Sequence, residues 1–500
     1  MARNHKGAFV YDTTGDSLLE FFSKAGSMFQ KAKRYYEAQE PATVSTQLLD
    51  MFRSAWAVDK VKAMQLLLWL RDPRGGSGNR SGPRAILAWL GNAHPSWVIA
   101  NIASFPALGR WDDLSSLVGT KAEDAAMGLW IDAILDKNGL ACKWAPREKS
   151  DKVIFHKLRK LAKMSPGDFR KWLALNTKVV ETQMCSKQWN DIEYNHVPSV
   201  AMARSANAFE KHDAVRFTGW KDSLVNPDSG NKVNASVLYP HDCIRTMRAQ
   251  LSTTRHDGFY HWSHGEKNGS ETYEDSPLAN AQFAALPDYM KDKSARIMCL
   301  TDFSGSMQTG ISGSITALDI SMGLGLYCSD RLGKSNPFYR QFIPFSTNSR
   351  LVAWENETFS VAVQKYNDGW CGSTNISAAL TQILDAAKLL HAKAEQIPNM
   401  LLIISDMQFD DGVADDKTAV ESGMEKWEAA GYARPQIVYW DVSAGYSSAP
   451  ATKAHKNVAM VSGFSPSVLT AVLGGEDFTP TGVMERAIAK YKVVEPSVDA

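Results

Sequence analysis

No run in the 500-residue chain approaches the ~20 consecutive apolar residues that a helix needs to cross a bilayer. That excludes a helical membrane span. The basic start, Met1 to Lys6, leads into polar Tyr11 to Asp16 and not into the apolar core of a secretory signal. Cysteine is sparse and scattered: Cys142, Cys185, Cys243, Cys299, Cys328 and Cys371 include no closely spaced pair. That spacing excludes a zinc ribbon and a disulfide framework, and favours reduced thiols in a cytoplasmic compartment. Charge of one sign is also missing, because the formal net charge is +1 and the whole molecule is no general polyanion binder. Catalytic signatures are absent too: no Gly-x-Ser-x-Gly elbow, His-Glu-x-x-His helix or dinucleotide-binding glycine fingerprint occurs. Leu332-Gly333-Lys334-Ser335 imitates the end of a phosphate-binding loop, but Cys328 stands where its first glycine belongs. A non-enzymatic protein is the expectation.

The chain is long enough for two domains. In residues 44–70, Leu48, Leu49, Phe52, Trp56, Val61, Met64, Leu67 and Leu68 recur at helical spacing. Further helical patterns follow at 84–91, 124–137, 153–163, 167–180 and 199–211, with breaks at Pro95, Pro106, Pro146 and Pro166. Short helices with brief connections suit an α-solenoid or bundle. Residues 251–280 are polar and weakly periodic and read as a long loop; His256, His261 and His264 there match no closed zinc site. From Ala295 short apolar strands alternate with helices, the pattern of a mostly parallel sheet covered on both faces. The expected fold is therefore α + α/β: a helical domain over 1–290, then a Rossmann-like domain over 291–500.

Two sets of residues carry chemistry. Asp302-Phe303-Ser304-Gly305-Ser306 follows the first strand of the second domain, where open α/β sheets bind ligands. It offers a carboxylate and two hydroxyls, hard oxygen donors suited to Mg²⁺, with Mn²⁺ or Ca²⁺ as alternatives. Thr374 opens the next long helix and Asp406 ends the next apolar strand. Asp410 and Asp411 read as ordinary loop carboxylates.

The second set is basic. Between Lys143 and Lys171 ten Lys/Arg face three acids, a bias that makes a positive face or simply a solvated helix surface. Lys143, Arg147, Lys149 and Lys152 begin it. Arg71, Arg74, Arg80 and Arg84 flank the glycine loop Asp72 to Gly78, read as flexible and able to follow a phosphate backbone; Arg110 adds to them. Trp111 and Trp144, beside basic residues, are base-stacking platforms or core anchors. Arg110 with Asp112 or Asp113 could equally be a loop ion pair, and His212-Asp213 a buried polar contact.

The order Asp-x-Ser-x-Ser, distant Thr, distant Asp resembles the metal-ion-dependent adhesion site of von Willebrand factor A (vWA) domains. That resemblance implies that Ser304, Ser306 and Thr374 ligate the ion. Asp302 and Asp406 would act partly through water, with an open position left for a partner's acidic group. Leu70 to Gly78, Gly109 to Leu114, Lys143 to Glu148, Val180 to Met184, Trp189 to Tyr194, Val197 to Met202, His212 to Phe217 and Tyr239 to Asp242 resemble the TROVE-type helical module of Ro ribonucleoproteins. They resemble in particular its DUF2828-type relatives, which also carry a vWA domain. The likeness implies a ring of HEAT-like repeats that binds non-coding or misfolded RNA, structured or single-stranded. Its metal site would serve a protein partner, with no membrane involved. A protein-interaction scaffold whose metal site captures a partner's carboxylate is the alternative.

Overall fold

The computed structural model describes residues 2–3, 9–11, 13–28, 41–177, 179–224, 226–251, 253–256, 259–262, 265–267, 270–291, 295–308, 310–312, 315–345, 349–366, 375–389, 391–407, 419–442, 450–474 and 477–497. From Ser17 to Gln250 its regular structure is helical. The first helix, α1 (Ser17–Ala25), starts where the Asp16 carboxylate accepts the Leu18 and Leu19 backbone N–H groups. Asp59 caps α2 (Lys60–Arg71) in the same way. The next helix, α3 (Ser81–Ala93), follows a nine-residue turn. Of the expected proline breaks, Pro95 and Pro166 stand at first helical positions, where a missing N–H costs nothing. Pro106 lies inside the short helix Ser104–Leu108, and Pro146 follows the helix Gly139–Trp144. The last long helix of this half is α4 (Pro240–Gln250).

The expected loop at 251–280 is a correction. Thr253–His256 pairs with Phe259–Trp262, Gly265–Lys267 pairs with Ser270–Thr272, and a helix spans Pro277–Ala284. Between the paired strands the sequence reads Asp257-Gly258 and Asn268-Gly269, dipeptides that are local hairpin signals at the level of sequence. A polar composition concealed a local signal.

The second half is a six-stranded sheet: β1 (Ile297–Asp302), β2 (Gln341–Phe345), β3 (Val352–Ala353), β4 (Met400–Ser405), β5 (Gln436–Asp441) and β6 (Val458–Ser462). Its spatial order is β3-β2-β1-β4-β5-β6, parallel except for edge strand β3. This is the doubly wound order, with the reversal between β1 and β4. Every residue of β1, β4 and β6 is buried, which explains their continuous apolar runs. Helices α5 (Ala317–Asp330), α6 (Ile376–Leu389), α7 (Ala419–Ala429) and α8 (Pro480–Ile488) accompany the sheet. The α + α/β architecture expected from the sequence is the one observed.

The two halves share one core, which runs from Leu18 in α1 to Tyr491 beyond α8. Helix α1 covers edge strand β6: Ser462 Oγ donates to Phe22 O at 2.9 Å and accepts the Gly26 N–H at 2.9 Å. A covered edge cannot recruit foreign strands. A smaller core gathers Val180, Ile192, Tyr194, Phe209, Phe217 and Trp220 with Leu278.

The turn between α2 and α3 lies where these parts meet. Tyr491 Oη donates to Asp72 Oδ2 at 3.0 Å, Lys490 Nζ to Gly75 O at 2.5 Å and Ser467 Oγ to Gly76 O at 3.3 Å. Asn79, fully buried, donates to Met28 O at 2.6 Å. A Cβ on Gly76 would strike Trp69 O, and one on Gly78 (φ +73°) the Tyr239 hydroxyl. The glycines therefore permit close packing and not flexibility, which corrects the reading of this segment as a mobile phosphate-following loop.

At the other seam Arg248 of α4 forms two hydrogen bonds, 2.7 and 2.5 Å, to Asp319 in the first turn of α5. Their side chains are 6% and 1% exposed. Removing one partner of such a pair strands a buried charge. Arg248→Ala is expected to lower unfolding free energy by about 3–5 kcal/mol in urea titration; a loss below about 1 kcal/mol would mean that water replaces the guanidinium.

Candidate functional site

Asp302 is the last residue of β1, and Asp406 directly follows β4. The two strands are neighbours at the sheet's switch point, so both carboxylates come to one crevice. Asp302 is fully buried and Asp406 is 1% exposed. Asp302 Oδ1 accepts the Ser304 N–H at 2.8 Å, which curls the chain into the one-turn helix Gly305–Gln308. That curl sets Ser304 Oγ and Ser306 Oγ 3.1 Å apart. The fifth expected residue, Thr374, lies outside the described residues, as do Asp410 and Asp411. Helix α6 follows Thr374, and Asn375 stands just before it, its Oδ1 accepting the Ala378 N–H at 3.0 Å.

Ser405 is a participant that sequence reading missed. Its hydroxyl donates to Asp302 Oδ2 at 2.5 Å and accepts the Met407 N–H at 3.0 Å. Met407 takes a left-handed conformation, φ +61°, as the chain turns away from β4. Within an apolar strand a serine gives no sequence signal of its own; only the β1–β4 register, with Thr301 opposite Ile404, brings it to Asp302.

Burial, reinforced by the charge of Asp406, pushes the Asp302 carboxyl up to about 7, against the opposing hydrogen bonds from Ser405 and Ser304. No cation is among the groups that act most strongly on it. Two buried carboxylates with two hydroxyls in reach form a hard-oxygen set, and a small divalent cation would remove the repulsion between them. Among the described residues no three His, Cys, Asp or Glu side chains group together, so hydroxyls would have to complete any coordination shell.

The basic set divides sharply. Arg71 is 3% exposed and its Nε donates to buried Asp113 at 2.6 Å. Arg147 turns inward, donating to Cys142 O at 3.1 Å and Ala145 O at 3.0 Å. Arg71, buried against Asp113, is spent inside the fold, whereas Arg147 is half-buried with one nitrogen committed to those two carbonyls. Arg84 pairs with Asp112 and Asp113, Arg110 with Asp112, and Lys143 with Glu181 at 3.2 Å. The loop ion pair weighed for Arg110 is therefore present. Arg74, Arg80, Lys149 and Lys152 are exposed, and no side-chain partner is found for them among the described residues.

The Arg110 guanidinium lies 3.4 Å from the centre of the Trp144 ring, so the face offered to a base is taken by an arginine. Trp111 packs, partly buried, against the main core. Asp213 accepts the Tyr194 hydroxyl at 2.6 Å, a polar contact in the smaller core. Five cysteines (142, 185, 243, 299 and 328) are free thiols. Among the described residues no helix is long and apolar enough to cross a membrane.

A helical half joined to a doubly wound α/β half, with a carboxylate–hydroxyl crevice at the switch point, defines the class of protein. Residues 4–134 and 135–295 match the family described as Domain of unknown function (DUF2828), and the chain belongs to that family. Residues 296–495 match a second description, Domain of unknown function (DUF7788). The chain is also similar to Uncharacterized protein L728 of Acanthamoeba polyphaga mimivirus, 24% identical over 549 residues that cover 97% of this chain and 86% of that protein.

The Asp302 shift has a measurable consequence in chelator. The carboxyl titrates near 3.8 when unfolded and near 7 when folded, so between those values the folded chain holds a proton that the unfolded chain has lost. Its contribution to stability is full below pH 3.8 and is lost as pH rises through about 7. Stability measured by urea titration should fall as pH rises across this window. Asp302→Asn should flatten the profile; a wild-type profile equally flat would contradict the assignment.

Proposed function

We propose that the chain is a non-enzymatic RNA-binding protein of the Ro ribonucleoprotein type, acting in a reducing, cytoplasmic compartment. Its helical half holds non-coding or misfolded RNA, and a divalent ion on its α/β half serves contacts with a partner. The observation that carries the RNA reading is the set of exposed cations without side-chain partners among the described residues, Arg74, Arg80, Lys149 and Lys152, spread over the helical half. Such groups gain most from a polyanion, because contact with phosphates releases condensed counterions and breaks no internal ion pair. The resemblance of the helical motifs to the TROVE module supports the same reading. Mg²⁺ is the ion best suited to Asp302, Ser304, Ser306, Thr374 and Asp406, with Mn²⁺ and Ca²⁺ as alternatives.

A second reading is favoured by the crevice at Asp302 and Asp406. There a bound ion with an open coordination position would capture a partner protein's carboxylate, and the helical half would act as scaffold. The two readings respond differently to salt and chelator: phosphate contacts weaken steeply with salt, whereas metal-mediated capture is lost with the metal.

Protein purified from cells at low salt is expected to carry an absorbance excess at 260 nm that RNase removes. The combined Arg74→Ala, Arg80→Ala, Lys149→Ala and Lys152→Ala variant should lose that excess while unfolding at the same urea concentration as wild type. Protein free of nucleic acid that also ignores added RNA at low salt would defeat the RNA reading. Partner capture abolished by both EDTA and Asp302→Ala would then establish the second.

A further inference from the structure

A cluster of arginines surrounds two neighbouring carboxylates in the first turn of the short helix Trp111–Leu117. Asp113, fully buried, accepts Arg71 Nε at 2.6 Å, Arg84 Nε at 2.8 Å and the Arg110 backbone N–H at 2.9 Å. Asp112 accepts Arg110 Nε at 2.8 Å and pairs with Arg84 Nη2 at 2.9 Å. Burial works against the ionised form of Asp112, yet hydrogen bonds from Arg110 and Arg84 hold its carboxyl below the ordinary range. Arg80 is the fourth guanidinium. Partial desolvation, then the charges of Arg110 and Arg84, depress its proton affinity, with Arg71 adding to the effect; the neighbourhood is net positive even with Asp112 present.

Charge counting gives the same result. Four guanidiniums against two carboxylates leave two positive charges uncompensated within the cluster. The excess is held in place. Arg110 is stacked on Trp144, and a Cβ on Gly109 would lie 2.7 Å from Arg71 Nε, so backbone and side chains are already closed around the pair. Arg84 and Arg110 keep 28% and 25% of their side chains exposed, so each has edges open to solvent, and Arg80, exposed at the N-cap of α3, stands four residues before Arg84 and feels the charges of both. A guanidinium carries five N–H donors, more than these carboxylates can use. The positive end of the α3 dipole adds to the potential at Arg80.

We propose that Arg80, with the open edges of Arg84 and Arg110, forms a preorganised site for one phosphate group, fixed from below by Asp112, Asp113 and the Trp144 ring. A phosphate presents several acceptor oxygens to a planar fork of donors, and its charge offsets the surplus. The site stands on the cluster alone. Only the source of its phosphate, an RNA backbone, rests on the RNA reading.

Arg80→Ala is the variant to make, because this exposed side chain makes no capping hydrogen bond to α3. Two measurements separate the site from the reading that supplies its ligand. Fluorescence anisotropy with a short labelled single-stranded RNA across a salt series should show weaker binding by Arg80→Ala, with the salt slope reduced by about one phosphate contact. Thermal unfolding in inorganic phosphate, against chloride of equal ionic strength, should show wild type stabilised and Arg80→Ala not. A phosphate-dependent shift without RNA binding would uphold the site, with a free phosphate or small phosphate ester as its ligand, and defeat the RNA reading. RNA binding with an unchanged salt slope, and no phosphate shift in wild type, would overturn the site and leave the RNA reading standing. Neither response would overturn both.

Discussion

A turn of the backbone buried between α2 and α3 has to find hydrogen-bond partners outside itself, and much of the fold is arranged around that requirement. Irregular backbone cannot satisfy its own polar groups as a helix or strand does. Around Asp72 to Asn79 the missing backbone donors come from far away in sequence, Ser467 after β6, Lys490 after α8 and Tyr239 before α4, while Tyr491 takes the Asp72 carboxylate. Each is a long-range contact that can form only when helical and α/β halves are both in place. The common core running through α1, β6 and the C-terminal segment is the apolar counterpart of this polar junction.

Charge follows the same logic of burial. Arg71 and Arg80 both flank that turn, yet they serve different purposes. Arg71 ends α2 facing inward and is balanced by Asp113. Arg80 precedes α3 and faces solvent. A guanidinium inside the fold is bound by its partners and stabilises them; one outside is available to a ligand. Counting basic residues along a segment cannot separate the two, because inward and outward are decided by elements that arrive later in the chain.

The candidate crevice was legible to the extent that it depends on local order. β1 and β4 announce themselves as apolar runs, and Asp302 and Asp406 stand where those runs stop. Ser304 and Ser306 follow at a spacing that one helical turn folds back toward the first carboxylate. Ser405 was hidden because its role exists only across the β1–β4 seam. The two hairpins after α4 were hidden for the opposite reason. The Asp-Gly and Asn-Gly dipeptides between their strands are local sequence signals, but they lie in a segment of polar, weakly periodic composition that reads as loop.

What the sequence by itself determined is whatever short-range chemistry dictates. Helices start at Asp16 and Asp59 because a side-chain oxygen satisfies the first backbone donors, and strands buried on both faces require unbroken apolar runs. The succession of helical and then alternating segments follows from these rules, and with it the α + α/β class. Only tertiary structure decided the rest: that the glycine turn is a packed junction, that Arg71 is internal, that Arg110 covers Trp144, and that Arg248 meets Asp319. Each of these depends on the burial of one group by another far away in the chain, and burial sets the free energy of a charge or an unpaired donor more strongly than its neighbours in sequence do.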